Sequence, residues 1–268
     1  MRRTALLLAL VTITVVLAAG PAAACGGLVG ENGTIRLTRT STLAAYHDGV
    51  ERYVTSFEFD GTGEQVGSIV PLPAIPTKIE RGGDWTLQRL ALEVQPPLER
   101  AAFAAPTAAA DSAEVITTVE IDALDITILK GGGDAVGRWA LDHGFLLTPD
   151  APSVLDFYSH RSKIFMAARF DASRTRDLGQ TSGDGTPIML TIPVDEPWVP
   201  LKILALGLDG ETPVNADVFL LTDDRPDLRT GSIGTTVARS EAASASLLDD
   251  LRSDQGMGWV PDSMWLTY

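Results

Sequence analysis

Few side chains in this sequence have the types and spacing that chemistry needs. Histidine occurs three times, at His47, His143 and His160, and no two stand in a His-x-x-x-His pair, so a helical zinc site lacks its ligands. No Gly-x-Ser-x-Gly elbow, dinucleotide glycine fingerprint or Walker loop is present. Gly131-Gly132-Gly133 offers the glycines of a phosphate loop, but no Gly-Lys-Ser/Thr follows, and the run reads as a connector. Asp171, Ser173, Thr175 and Asp177 fall at alternate positions, as the first ligands of a calcium loop do. Arg176 then stands where that loop needs glycine, and Ser182 where it needs glutamate, so an ordinary polar loop is the reading. Asp223-Asp224 leads into Arg225, and Asp249-Asp250 is followed by Arg252, which marks solvated ion-pair faces more than a catalytic acid pair. No catalytic residue, metal site or cofactor is assigned.

The remaining residues of interest suit contact better than catalysis. Trp198, Trp259 and Trp265, together with Trp85, carry flat apolar faces that could stack on a sugar, although burial in a core is the commoner use of tryptophan. Pro71 and Pro73 lie in the strip Val70-Pro71-Leu72-Pro73-Ala74-Ile75-Pro76, rigid at its prolines and apolar between them. Its edge could dock a partner peptide; a purely structural strand exit is the competing role. Pro71, Pro73, Trp198, Trp259 and Trp265 are therefore the candidate interaction surface, for an envelope protein or ligand that the sequence does not name.

The beginning of the chain reads as an address. Arg2 and Arg3 precede an apolar run, Ala5 to Ala19, that is short for a membrane span, and Ala22-Ala23-Ala24 has the small residues of a cleavage site. Residues 1–24 are thus expected to be a signal peptide and 25–268 one extracytoplasmic domain. Cleavage would leave Cys25 first. As the one cysteine it has no partner within the chain. Lipid attachment, pairing with another chain and an inert terminus compete, and Ala22 stands where a lipid-attachment box has Leu, Val or Ile. Membrane association is expected only through such a lipid. Loss of Arg2 and Arg3 takes 21 basic residues to 19 against 35 acidic ones, a net charge of −16. Such a surface repels phosphate backbones and makes nucleic acid a poor partner.

The elements that would position these residues alternate between strand and helix patterns. Tyr53, Thr55, Phe57 and Phe59 share one face of a strand, and Gln65 to Val70 follows after Asp60-Gly61-Thr62-Gly63, which reads as an antiparallel hairpin. Ile164 to Asp171 and Ile188 to Pro193 repeat that grammar. His47-Asp48-Gly49-Val50 is a turn into the first unit, and Asp122-Ala123 a turn or bulge between Val115 and Lys130. Leu201 to Leu208 and Ala216 to Thr222 read as strands. The spacing over Trp85 to Val94 fits a short helix, with a strand as the alternative, and helices are expected between Asp134 and Arg161, where Asp134 is a candidate cap, and over Ser240 to Arg252. Residues 96–111, rich in alanine and proline, read as a mobile insertion. The expected fold class is α+β, a mostly antiparallel β-sheet with two or three short helices.

In their order, several short motifs resemble a bacterial exported family catalogued as domain of unknown function 2330. They are Ala24-Cys25-Gly26-Gly27, Ile69-Val70-Pro71-Leu72-Pro73, Trp139-Ala140-Leu141 with His143-Gly144-Phe145, Leu155 with Tyr158, Phe165, and Pro200-Leu201. The resemblance covers most of the chain after residue 24. It implies an exported protein and carries no activity. Members often have a second cysteine soon after the first, where this chain reads Leu28-Val29-Gly30. The expected function is a non-enzymatic binding or structural module, with a carboxylate-based or metal-assisted hydrolase as the alternative.

Overall fold

The computed structural model describes residues 27–30, 36–60, 65–94, 114–145, 147–171, 174, 177–178, 186–206, 216–228 and 237–268. Among them, two sheets lie face to face with helices on both outer sides. The five-stranded sheet has the order β1-β4-β8-β7-β6, from β1 (Gly27–Gly30), β4 (Gln65–Leu72), β6 (Glu114–Ile121), β7 (Leu124–Lys130) and β8 (Ile164–Asp171). The seven-stranded sheet has the order β11-β12-β10-β2-β3-β9-β5. Its strands are β2 (Arg36–His47), β3 (Val50–Asp60), β5 (Lys78–Arg81), β9 (Ile188–Pro193), β10 (Ala216–Thr222), β11 (Ser240–Ala242) and β12 (Trp265–Thr267). Only β10 and β2 pair in parallel; the other pairs are antiparallel. Helices α1 (Asp84–Val94), α2 (Gly133–Asp142), α3 (Ala151–Ser159) and α4 (Ala245–Arg252) complete the fold, which is α+β.

Alternation along each strand builds the layers. In β3, Tyr53 and Phe57 point between the sheets, where they meet Val70 and Leu72 of β4 and Met166 and Phe170 of β8. Val54 points outward, into a cluster with Leu87 and Leu90 of α1 and Leu248 of α4. On the other side of the molecule, Ile69, Phe165 and Ala167 point outward under Trp139 of α2 and Leu155 and Tyr158 of α3. Two glycines allow close approach there. A Cβ on Gly67 would fall 1.7 Å from the Phe145 ring, and one on Gly133 would fall 2.6 Å from the backbone nitrogen of Asp156.

Two expected hairpins are not hairpins. β3 lies in the seven-stranded sheet and β4 in the five-stranded sheet, and β8 and β9 are divided the same way. Each polar connection therefore joins one sheet to the other; residues 61–64 and most of 172–185 lie outside the described residues. The two units pair with each other instead, β3 with β9 and β4 with β8, so that Tyr53 faces Leu190 and Ile69 faces Ala167 across the ladders. Period-two alternation reports that a strand has a buried face, and it is silent on which neighbour it pairs with. By contrast, β2 and β3 form a true hairpin, with Asp48 (φ 48°) and Gly49 (φ 75°) both in the left-handed region of a type I′ turn.

Smaller departures have local causes. Leu201–Ala205 is a 3-10 turn and not a strand; a short apolar run after Pro200 has no periodicity that separates the two. Ser240–Ala242 pairs with β12, so the last helix starts at Ala245, where the Ser244 side chain accepts the Leu247 N–H. Asp134 lies inside the first turn of α2 and does not cap it; Gly132 is at the cap position. The strip at Val70 to Leu72 belongs to β4, with Val70 and Leu72 buried in the inter-sheet layer and Pro71 facing Phe165 of β8. Among the described residues, β1 pairs along β4 from Val66 to Ile69, and no described strand lies beside Pro71 on that edge, where a proline has no N–H to give.

Candidate functional site

The most unusual side chain is an acid on an apolar face. Glu51 opens β3 with the same parity as Tyr53 and Phe57, which points it into the layer between the sheets, and it is fully buried. Its Oε2 accepts the backbone N–H of Trp198 at 2.5 Å. Oε1 has no hydrogen-bond partner, and no cation lies within ion-pair reach of the carboxyl among the described residues. Burial pushes the carboxyl up to about 8, against a smaller downward pull from the Trp198 N–H. At neutral pH the group is thus mostly protonated.

Trp198 turns this acid into a join. Its indole Nε1 donates to the carbonyl of Pro71 at 3.1 Å, and its ring meets Tyr158 edge-on at 6.1 Å. The Tyr158 hydroxyl in turn accepts the N–H of Ile203 at 3.1 Å. One residue therefore ties β3 of the larger sheet, β4 of the smaller sheet and α3 of the outer layer. Of the expected interaction residues, Pro71 and Trp198 meet at this join, and Pro73 follows it half-buried.

The other tryptophans lie elsewhere, and no two of the described indoles are in ring contact. Trp259 is half-buried beside the β2–β3 turn, with the Arg52 guanidinium 4.7 Å from its ring centre and the His47 ring 5.6 Å away. His47 itself stands between Asp223 (Nδ1 to Oδ1, 2.5 Å) and Asp48 (Nε2 to Oδ2, 3.3 Å). Trp265 donates from Nε1 to the Ser240 hydroxyl at 2.9 Å, and Ser240 lines an open depression of about 490 Å³ with Arg225, Pro226, Asp227, Leu228 and Val237. A second depression, of about 380 Å³, lies at Gly82–Trp85 with Pro187 and Gln255. Neither holds a converging set of acids. Most buried or half-buried carboxylates elsewhere are matched to arginine, as Asp125 is to Arg169 (2.8 Å) and Arg174 (2.5 Å). Cys25 lies outside the described residues.

The arrangement can hold backbone and bury a proton; it does not bring two acids to a common point. The sequence reading missed Glu51, although its signal was present: an acid on the same parity as Tyr53 and Phe57. The His47–Asp223 pair had no such signal, because its partners are 176 residues apart.

Compared with known families, residues 19–248 match the model of an uncharacterised protein family conserved in bacteria, domain of unknown function 2330. The chain belongs to this family. No curated protein and no solved structure matches it significantly. Among the described residues, no helix is long and apolar enough to cross a membrane.

Proposed function

We propose that this family member is an exported binding or structural module of the bacterial cell envelope, and not an enzyme. The observation that carries the reading is the state of Glu51. It is the one described carboxyl pushed far above its ordinary range, yet it is sealed from solvent and spends its one hydrogen bond on the Trp198 backbone. A general acid must touch its substrate, and this one touches the frame. Export is supported by the basic start, short apolar run and Ala22-Ala23-Ala24. The candidates for contact are then Trp259, Trp265 and Pro73, each of which solvent reaches, while Pro71 and Trp198 join the layers.

Turnover tests the proposal. The purified chain is incubated with peptidoglycan and with envelope polysaccharide, and pellet and supernatant are analysed by mass spectrometry. Protein retained in the pellet, with the polymer unchanged, is the expected result. Soluble fragments released by the wild type and not by Glu51→Gln would overturn it in favour of a carboxylate hydrolase.

A further inference from the structure

On a chain of net charge −14, most of the described arginines and lysines have a carboxylate within 4.0 Å. The end of α3 departs from this. The Arg161 guanidinium carbon lies 3.6 Å from the centre of the Phe157 ring, and the Lys202 Nζ lies 4.0 Å from the same centre. The two cations are therefore at most 7.6 Å apart, the two distances laid end to end. Both are exposed, and among the described residues neither has a carboxylate within ion-pair distance. The nearest acid along the helix, Asp156, is engaged with His160 (3.5 Å). Lys163, two residues beyond Arg161, is a further exposed cation with no ion pair among the described residues.

The pair is built, not incidental to mobile side chains. Arg161 Nη1 donates to the Phe157 carbonyl at 2.8 Å, which fixes the guanidinium over the ring. Lys202 is carried by the 3-10 turn that the Tyr158 hydroxyl holds through the Ile203 N–H. The face of the ring attracts each cation, but a phenyl ring bears no net charge and leaves both positive charges uncompensated. We propose that Arg161 and Lys202, held on Phe157, form a binding site for a phosphate-type oxyanion. A guanidinium offers a fork of N–H donors and an ammonium a compact charge, a combination that suits a tetrahedral anion with several acceptor oxygens. Because the aromatic ring and the carbonyl have already ordered these side chains, little freedom remains to be lost on binding. The inference does not depend on export or on the role of Glu51.

The oxyanion could be a free phosphate or a phospholipid headgroup, and two probes separate these. Inorganic phosphate is titrated at constant ionic strength, set with chloride, and vesicles of phosphatidylglycerol are compared with phosphatidylcholine by co-sedimentation. Arg161→Gln and Lys202→Gln are each compared with Arg225→Gln, which removes an exposed cation, without an ion pair among the described residues, near another ring, that of Trp265. The expected result is binding of at least one probe that weakens by about tenfold in the first two variants and by less than about twofold in the third. Phosphate binding without vesicle binding identifies a free anion; vesicle binding that phosphate competes away identifies the headgroup. Equal losses in all three variants, or no binding of either probe, would overturn the proposal. All three positions are exposed, and far-ultraviolet circular dichroism checks that each variant is folded.

Discussion

Glu51→Gln should change how stability depends on pH more than it changes stability itself. The native carboxyl titrates at about 8, against an ordinary value of 4.5 in the unfolded chain. Between those values the native state holds a proton that the unfolded state has lost. Stability from this group is therefore fully present below about pH 4.5 and is lost as pH rises through about 8. Integrated over that interval, the wild type loses about 3–4 kcal/mol between pH 5 and pH 8 from this group. Glutamine keeps the shape and the acceptor for the Trp198 N–H, and it does not titrate. At pH 5 the variant should match the wild type within about 1 kcal/mol. At pH 8 it should be the more stable of the two by about 2–4 kcal/mol. Urea unfolding of both proteins at both pH values measures the difference directly, and titrations elsewhere in the chain cancel in the comparison. A wild-type-to-variant gap that is the same at pH 5 and pH 8 would refute the reasoning, because it would mean that Glu51 titrates alike in the folded and unfolded chain.

Other substitutions test the layers that this join connects. Leu72→Ala removes a side chain that is 1% exposed in the inter-sheet layer and should cost ~2–5 kcal/mol; an unchanged unfolding midpoint would show the strip to be peripheral. Tyr158→Phe deprives the Ile203 N–H of its acceptor and should cost ~1–3 kcal/mol in urea unfolding, with no loss if the 3-10 turn finds another partner. Gly67→Ala drives a methyl group into the Phe145 ring and should cost ~1–3 kcal/mol, less in a Phe145→Leu background; equal costs in both backgrounds would show that the ring is not the obstacle.

Much of the secondary structure was legible because it is written in local periods. Tyr53 and Phe57 report the face of their strand that lies between the sheets, and His47-Asp48-Gly49-Val50 reports a turn, which the backbone makes with Asp48 and Gly49 left-handed; that Val54 buries the opposite face as well is not legible from the alternation. What was illegible is partnership. Nothing local distinguishes a strand that returns beside its predecessor from one that crosses to a facing sheet, so β3–β4 and β8–β9 read as hairpins when each pair is split between sheets. The candidate site shows the same division. Pro71 and Trp198 stood out by type, but the bond between them spans 127 residues, and neither pointed to Glu51. The cation pair at Phe157 was hidden for the same reason: Arg161 and Lys202 come from separate elements, and their shared ring becomes visible only after α3 and the 3-10 turn pack together.

The proposed envelope module would act outside the cytoplasm. Intact-mass and N-terminal peptide analysis of the protein purified from its own bacterium, after separating envelope, medium and cytosol, tests it most directly. The prediction is a mature chain beginning at Cys25, found in the envelope or medium, with any added mass on Cys25 identifying a lipid. A chain that retains Met1 and is recovered in the cytosol would contradict the account.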